Sequence, residues 1–214
     1  MKHIVENVEL KDDFLDNAHS LYLAKKEEHQ KYLDELFAWN EKINLVSRTV
    51  SRETVESHIV HSLFPCQLGL LNAHDKWIDA GSGGGMPGIP LAIQNPGKQF
   101  LLNDNVRKKM KAVSAIVESL KLTNVEIVAK SISLYDLQPG TGIVTKHAFK
   151  IPKLLHLLDK KPWKTVILWK GERDVLPELS KTPGKLSVTI YPFRFSDSFF
   201  EGKALVRLVN NSKN

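Results

Sequence analysis

The sequence predicts an α/β fold: a mainly parallel seven-stranded sheet with an antiparallel edge, preceded by a helical extension. Three observations predict it. Short apolar runs alternate with longer segments of helical rhythm from Trp77 onward. A glycine-dense turn stands directly after the first of those runs. The last two runs, Leu186 to Tyr191 and Ala204 to Val209, follow one another without an intervening helical pattern. Strand and helix in alternation give parallel pairing through crossover helices, whereas two adjacent strands pair antiparallel.

The elements follow in order. Residues 8–46 read as helical, because Leu33, Leu36, Phe37, Asn40, Ile43 and Asn44 recur at spacings of three and four. A second helix is expected from Ser51, whose hydroxyl can cap it, with Glu53 in its first turn and Val55, Ile59 and Leu63 as its apolar stripe. Pro65 is expected to close it. Gly69 to Asp75 then connects to five runs, Trp77–Ala80, Phe100–Leu102, Val125–Val128, Ile143–Thr145 and Val166–Trp169, with helices near 88–95, 106–120 and 150–160. The expected division is a helical extension over residues 1–72 and a ligand-binding domain over 73–214.

Composition bounds the function. The chain has 214 residues, 42% apolar and 25% charged, enough to bury a core and too apolar for a disordered protein. One cysteine, Cys66, leaves no internal disulfide and no Cys-rich metal site. The N-terminus lacks a signal-peptide stretch, and no run of eighteen apolar residues occurs, so a cytoplasmic protein without a membrane partner is expected. The net charge of +6 is uneven: residues 1–76 carry 9 basic and 13 acidic side chains, residues 77–214 carry 21 and 11. Residues 104–170 alone hold 13 basic and 5 acidic groups, a concentration suited to the phosphates of a nucleic acid.

The chemistry concentrates in Ile78-Asp79-Ala80-Gly81-Ser82-Gly83-Gly84-Gly85-Met86-Pro87-Gly88. Glycines between strand and helix permit positive φ and let a ligand approach the backbone. In a doubly wound sheet that turn lies at the carboxyl end of a strand, where ligands bind. Asp104 ends the next strand, placed to accept both hydroxyls of an adenosine ribose or, alternatively, to cap the helix that follows. Counted as Gly83, Gly85 and Gly88, the spacing also admits a nicotinamide dinucleotide and hence an oxidoreductase; no Gly-Lys-Ser/Thr of a triphosphate loop occurs. His58 and His61 stand one turn apart without a third ligand, so no metal is expected and the pair reads as packing.

The glycine turn with its flanking acids resembles the S-adenosylmethionine site of Rossmann-like class I methyltransferases. Trp39-Asn40-Glu41-Lys42-Ile43-Asn44-Leu45, His58-x-x-x-Ser62, Gly81 through Pro90, Asp104 with Lys108-Lys109, and Leu168-Trp169-Lys170-Gly171 together resemble the glucose-inhibited division protein B family. Those proteins methylate N7 of a guanine in 16S small-subunit ribosomal RNA. The resemblance implies that S-adenosyl-L-methionine is held by Asp79, Gly81, Ser82, Gly83, Gly85 and Met86, with Asp104 on its ribose, Ile132 and Ser133 beside the adenine, and His147 between cofactor and substrate. Lys146, His147 and Lys170 become candidates for the substrate pocket, and ribosomal RNA, free or in an assembling particle, the partner of a monomer.

The chain departs from the family's pattern in three places. Ser131-Ile132-Ser133-Leu134 replaces Arg-x-Glu-Glu, Lys146-His147-Ala148 replaces Ser-Arg-Ala, and His61 replaces Asp. These departures motivate an alternative, a non-catalytic or retargeted protein of the same fold that holds cofactor and RNA. They also raise the expectation that Lys146 or Lys150 supplies the fixed positive charge that an arginine at position 147 would give.

Overall fold

The computed structural model describes residues 3–211. Its centre is a parallel array of β3 (Lys76–Ala80), β4 (Gln99–Asn103), β5 (Val125–Val128), β6 (Thr141–Lys146) and β7 (Thr165–Gly171). β8 (Leu186–Arg194) and β9 (Lys203–Asn210) form the antiparallel edge, β9 pairing with both β7 and β8. All seven strands read from the sequence are present. Two more precede them: β1 (Ile4–Asn7) and β2 (Leu10–Lys11) lie parallel to β8 and bring the sheet to nine strands. β1 is exposed along its whole length. Backbone pairing to β8 makes it a strand, and no apolar alternation advertises it.

The order β1-β8-β9-β7-β6-β3-β4-β5 puts the reversal of the chain between β3 and β6. The strand after β3 is laid on one side and β6 on the other, so their carboxyl ends diverge into a crevice. Side chains alternate across the array. Trp77, Phe100, Leu102 and Val144 face one core, and Ile78, Leu101, Ile143 and Val166 face the other. α5 (Gly88–Gln94), α6 (Arg107–Ser119) and the front-end helices cover the first face; α7 (Ile151–Leu157) and α8 (Glu172–Leu179) cover the second.

The front end is less continuous than its apolar spacing predicts. Residues 8–46 divide into α1 (Asp12–Ala24) and α2 (Lys26–Asn40), broken at Lys25, whose φ of −128° leaves the helical region. α2 stops at Asn40 because its amide oxygen accepts from the backbone N–H groups of Leu45 (2.8 Å) and Val46 (3.0 Å), folding 41–50 into a loop. α3 (Arg52–Ser62) begins as expected, the Ser51 hydroxyl accepting from Thr54 N–H at 3.1 Å. It ends before Pro65, which sits instead in the first turn of α4 (Phe64–Gln67), where its missing N–H costs nothing. α8 escapes the sequence pattern because Pro177 interrupts it, although Glu172 and Asp174 mark its first turn.

Candidate functional site: a two-lobed crevice at the carboxyl ends of β3 and β6

The glycine turn leaves β3 under tight control. Gly81 and Ser82 N–H both donate to the Asn103 carbonyl at the end of β4 (2.7 and 3.0 Å), and Gly85 and Met86 N–H return to Ser82 O. From the other side the buried Tyr32 hydroxyl of α2 donates to Gly84 O at 3.0 Å. The front end therefore sets the shape of this loop.

The glycines do different jobs. A Cβ on Gly81 (φ +75°) would lie 2.5 Å from the Ala148 Cβ, and one on Gly85 (φ +98°) 2.5 Å from Ile89 Cδ1. These two are glycines because protein closes on them. Gly83 (φ +55°) alone of the four glycines in the turn has open space where a Cβ would stand. Asp79, two residues before Gly81, is fully buried beneath the loop and accepts from Gly88 N–H at 2.8 Å. Its other oxygen has no partner, and burial raises its carboxyl to a pKa of about 8.

Two cavities meet at Gly81. The larger, about 450 Å³, lies over the ends of β4 and β5 and is lined by Asp104, Val106, Lys130, Ile132 and Phe149 among others. Asp104 is half-buried there. One of its oxygens accepts from Gly83 N–H (3.1 Å) and the other from Val106 N–H (2.9 Å), so the carboxylate is held in place. The cap of α6 is Val106, which makes no side-chain cap bond, so Asp104 does not cap that helix directly. Ile132 lines the cavity from a short turn; Ser133 lies beside it on the exposed side, its N–H donating to Ser131 Oγ.

The smaller cavity, about 300 Å³, lies between the glycine turn and the front end. Gly83, Met86, Lys146 and His147 line it together with Leu45, Val46, Val50 and Val55. Sequence reasoning missed that apolar wall. Its signal was Asn40, a polar residue on an apolar stripe, which shapes the 41–50 loop. Ser82 turns its hydroxyl away, toward Met110 sulfur at 3.7 Å.

Basic groups crowd this second lobe. Lys146 is buried, and its amine donates to the His58 carbonyl (2.6 Å) and to Ser62 Oγ (3.1 Å). Desolvation holds that amine well below its usual pKa, opposed by Asp79. Of the two lysines expected to carry a fixed charge, Lys146 is therefore committed to α3, and Lys150 stands exposed ahead of α7. His147, exposed with φ +57°, has its imidazole lowered to about 4, and His58 to about 3; desolvation leads in both, with Lys146 and Lys203 adding. His61 is fully buried among Phe64, Phe193, Phe200 and Trp169, and Trp169 Nε1 donates to its carbonyl at 2.8 Å. Lys170 lies on the neighbouring rim, 2.7 Å from Glu178 in a buried ion pair. Among the described residues no cluster of His, Cys, Asp or Glu could hold a metal ion.

The strand order and the crevice at its reversal are those of class I methyltransferases, and solved structures agree. The chain superimposes on an O-methyltransferase from Bacillus cereus in complex with SAH with a TM-score of 0.59, at 16% identity, over 84% of this chain and 90% of that one. For magnesium protoporphyrin IX methyltransferase from Synechocystis PCC 6803 with bound SAM the TM-score is 0.56, at 13% identity, over 81% and 89%. The family described as rRNA small subunit methyltransferase G (GidB) matches residues 25–189, and the chain belongs to it. Two relatives named ribosomal RNA small subunit methyltransferase G are similar over most of their length. That of Flavobacterium psychrophilum is 34% identical over 79% of this chain and 84% of its own, and that of Flavobacterium johnsoniae 35% over 85% and 90%.

Proposed function

We propose that this protein is an S-adenosylmethionine-dependent methyltransferase that modifies N7 of a guanine in 16S ribosomal RNA. Membership of the GidB family supports the RNA substrate and weighs against the nicotinamide reading. The observation that carries the assignment of the site is the pair of lobes meeting at Gly81, one with a fixed carboxylate and one with an apolar wall. The larger lobe fits the cofactor. Both Asp104 oxygens keep a lone pair beyond the N–H each accepts, enough for two ribose hydroxyls, and Ile132 offers the adenine an apolar surface. Bound there, S-adenosylmethionine supplies an electrophilic methyl on sulfur.

The chain's own residues then orient and exclude water. The smaller lobe takes the guanine, with Leu45, Val46 and Val50 against the base and Lys146 at the back. Guanine N7 carries a lone pair and no proton, so the nucleophile needs no general base. His58 and His147, both neutral at pH 7, fit that requirement. The work left to the protein is alignment and electrostatic support. In this reading the front end, residues 1–72, supplies the substrate roof and residues 73–214 the cofactor floor. A monomer working in the cytoplasm, without a metal, is part of the same proposal; among the described residues no helix is long and apolar enough to cross a membrane.

Methyl transfer from labelled S-adenosylmethionine to naked 16S RNA, to 30S particles and to intact ribosomes tests it. Label at a guanine N7 in the first or second is the expected result. Cofactor binding with no transfer to any of the three would replace the proposal with the non-catalytic alternative.

A further inference from the structure

Two further cavities continue the crevice away from the reacting centre. One of about 650 Å³ lies between α7 and α8 and shares His147 with the smaller lobe and Ala148 and Phe149 with the larger. The next, about 660 Å³, lies at the opposite end of the sheet, below the end of α7 and the loop before β8. It shares Pro152 and Lys181 with the one above. Shared wall residues make the cavities neighbours, an interrupted groove from the site, past α7, to the far rim.

Its chemistry is that of a polyanion track. Lys150 and Lys181 line the upper basin, and Lys160, Lys161, Lys181 and Lys185 the lower. Among the described residues none of these five is in an ion pair with a carboxylate. Lys161 donates to the Tyr135 carbonyl at 2.7 Å, which leaves its charge uncompensated. Three acids line the groove. Glu178 is neutralised by Lys170, and Asp159 and Asp174 remain. α7 is ~10 Å long at ~1.5 Å per residue.

We infer that this groove carries the RNA strand flanking the target guanine, held by its phosphodiester backbone between α7 and α8 and released at the rim formed by Lys160, Lys181 and Lys185. The inference rests on the RNA substrate proposed above. It adds a second, sequence-independent contact remote from the chemistry, which fixes the register of the strand so that one base reaches the small lobe.

The test is the full chain carrying Lys160→Gln, Lys181→Gln and Lys185→Gln, beside a Glu-substituted triple, with 16S RNA as the probe. All three lysines are exposed, so a melting temperature and S-adenosylhomocysteine affinity equal to the parent's are the controls. The slope of log affinity against log salt should flatten by about 2, at ~0.7 per lost contact on a single strand. Affinity near physiological salt should fall about tenfold or more, further in the Glu triple. Transfer to a short RNA limited to the target and its immediate neighbours should be unchanged. An unaltered slope, or equal losses on short and long RNA, overturns the groove. If the loss appears only on 30S particles and not on naked RNA, the groove contacts a ribosomal protein and the inference fails. Parent protein that methylates no RNA at all would overturn the proposed function instead, so the two failures are distinguishable.

Discussion

The two lobes of the crevice meet at one glycine but are built on opposite plans. The larger is a surface hollow at strand ends whose acid, Asp104, is half-exposed and held by two backbone N–H groups. The smaller is roofed by a loop from the front end and backed by a buried lysine with depressed imidazoles around it. The first can bind a ligand with polar groups already satisfied by the fold. The second holds its basic groups below their usual pKa values, chiefly by desolvation. Cofactor grip and substrate handling should therefore fail separately.

The glycine turn offers the largest effects. Gly81→Ala forces a side chain into a left-handed conformation, at ~1–2 kcal/mol, and onto Ala148, so a total loss of about 3 kcal/mol is expected. Gly83→Ala pays only the conformational part, since nothing stands within 4 Å of its Cβ. Denaturant unfolding of both variants measures the gap. Equal losses would mean that packing of the loop against Ala148 is unimportant.

Asp104→Ala comes next. It removes charge-assisted hydrogen bonds worth ~1.5–3 kcal/mol in total to the ligand, which is about 10- to 100-fold in affinity. Calorimetry with S-adenosylhomocysteine reads it. Val46→Ala, on the other lobe, should leave that affinity within about twofold and lower turnover on RNA; the reverse pattern would exchange the roles of the two lobes.

The contrast also explains what the sequence disclosed. β3, β4, β6 and β7 are almost wholly buried, so they stand in the sequence as short, mainly apolar runs between helices, and the glycine turn follows from β3. Asp104 could be located by counting from it. The smaller lobe had no such signature. Its wall comes from residues 45–55, whose position depends on Asn40 ending a helix that the apolar spacing carries on to 46. Lys146 reads in the sequence as a fixed positive charge for the substrate pocket beside His147. Only the tertiary packing of α3 against β6 turns its amine inward onto the His58 carbonyl. The glycines were legible as a group, but not which one faced open space, because that depends on Ala148 and Ile89 arriving from elsewhere in the chain.

Lys146 and Asp79 supply the finest test, since burial opposes ionisation in both and each favours the other's charge. Lys146→Met removes a desolvated amine, so stability should hold or rise, by up to about 1 kcal/mol, as transfer to RNA falls roughly tenfold. The pH dependence is more telling. Stability rises with pH wherever the unfolded chain holds more protons than the native one. His29, lowered by burial to about 4, and His58, lowered to about 3, refuse a proton that the unfolded chain accepts below pH 6.5, so the parent should lose stability as pH falls through that value. Above about pH 7.5 the unfolded imidazoles have also lost their protons, and the buried pair dominates. Burial raises Asp79 to about 8 and lowers Lys146, so the two shifts oppose each other in the native proton count and the parent's slope should be shallow there. Each single variant breaks the balance. In Lys146→Met, Asp79 keeps a proton that the unfolded chain has released, and stability should fall toward pH 8 by about 1 kcal/mol, some 2–4 °C in melting temperature. In Asp79→Asn, the lowered pKa of Lys146 is no longer offset by a raised carboxyl, so the native state binds fewer protons than the unfolded chain and stability should climb with pH. Melting curves from pH 5 to 8.5 decide it: opposite tilts establish a coupled pair beneath the smaller lobe, and two flat lines would mean that Lys146 is charged in the native protein and Asp79 ionised independently of it.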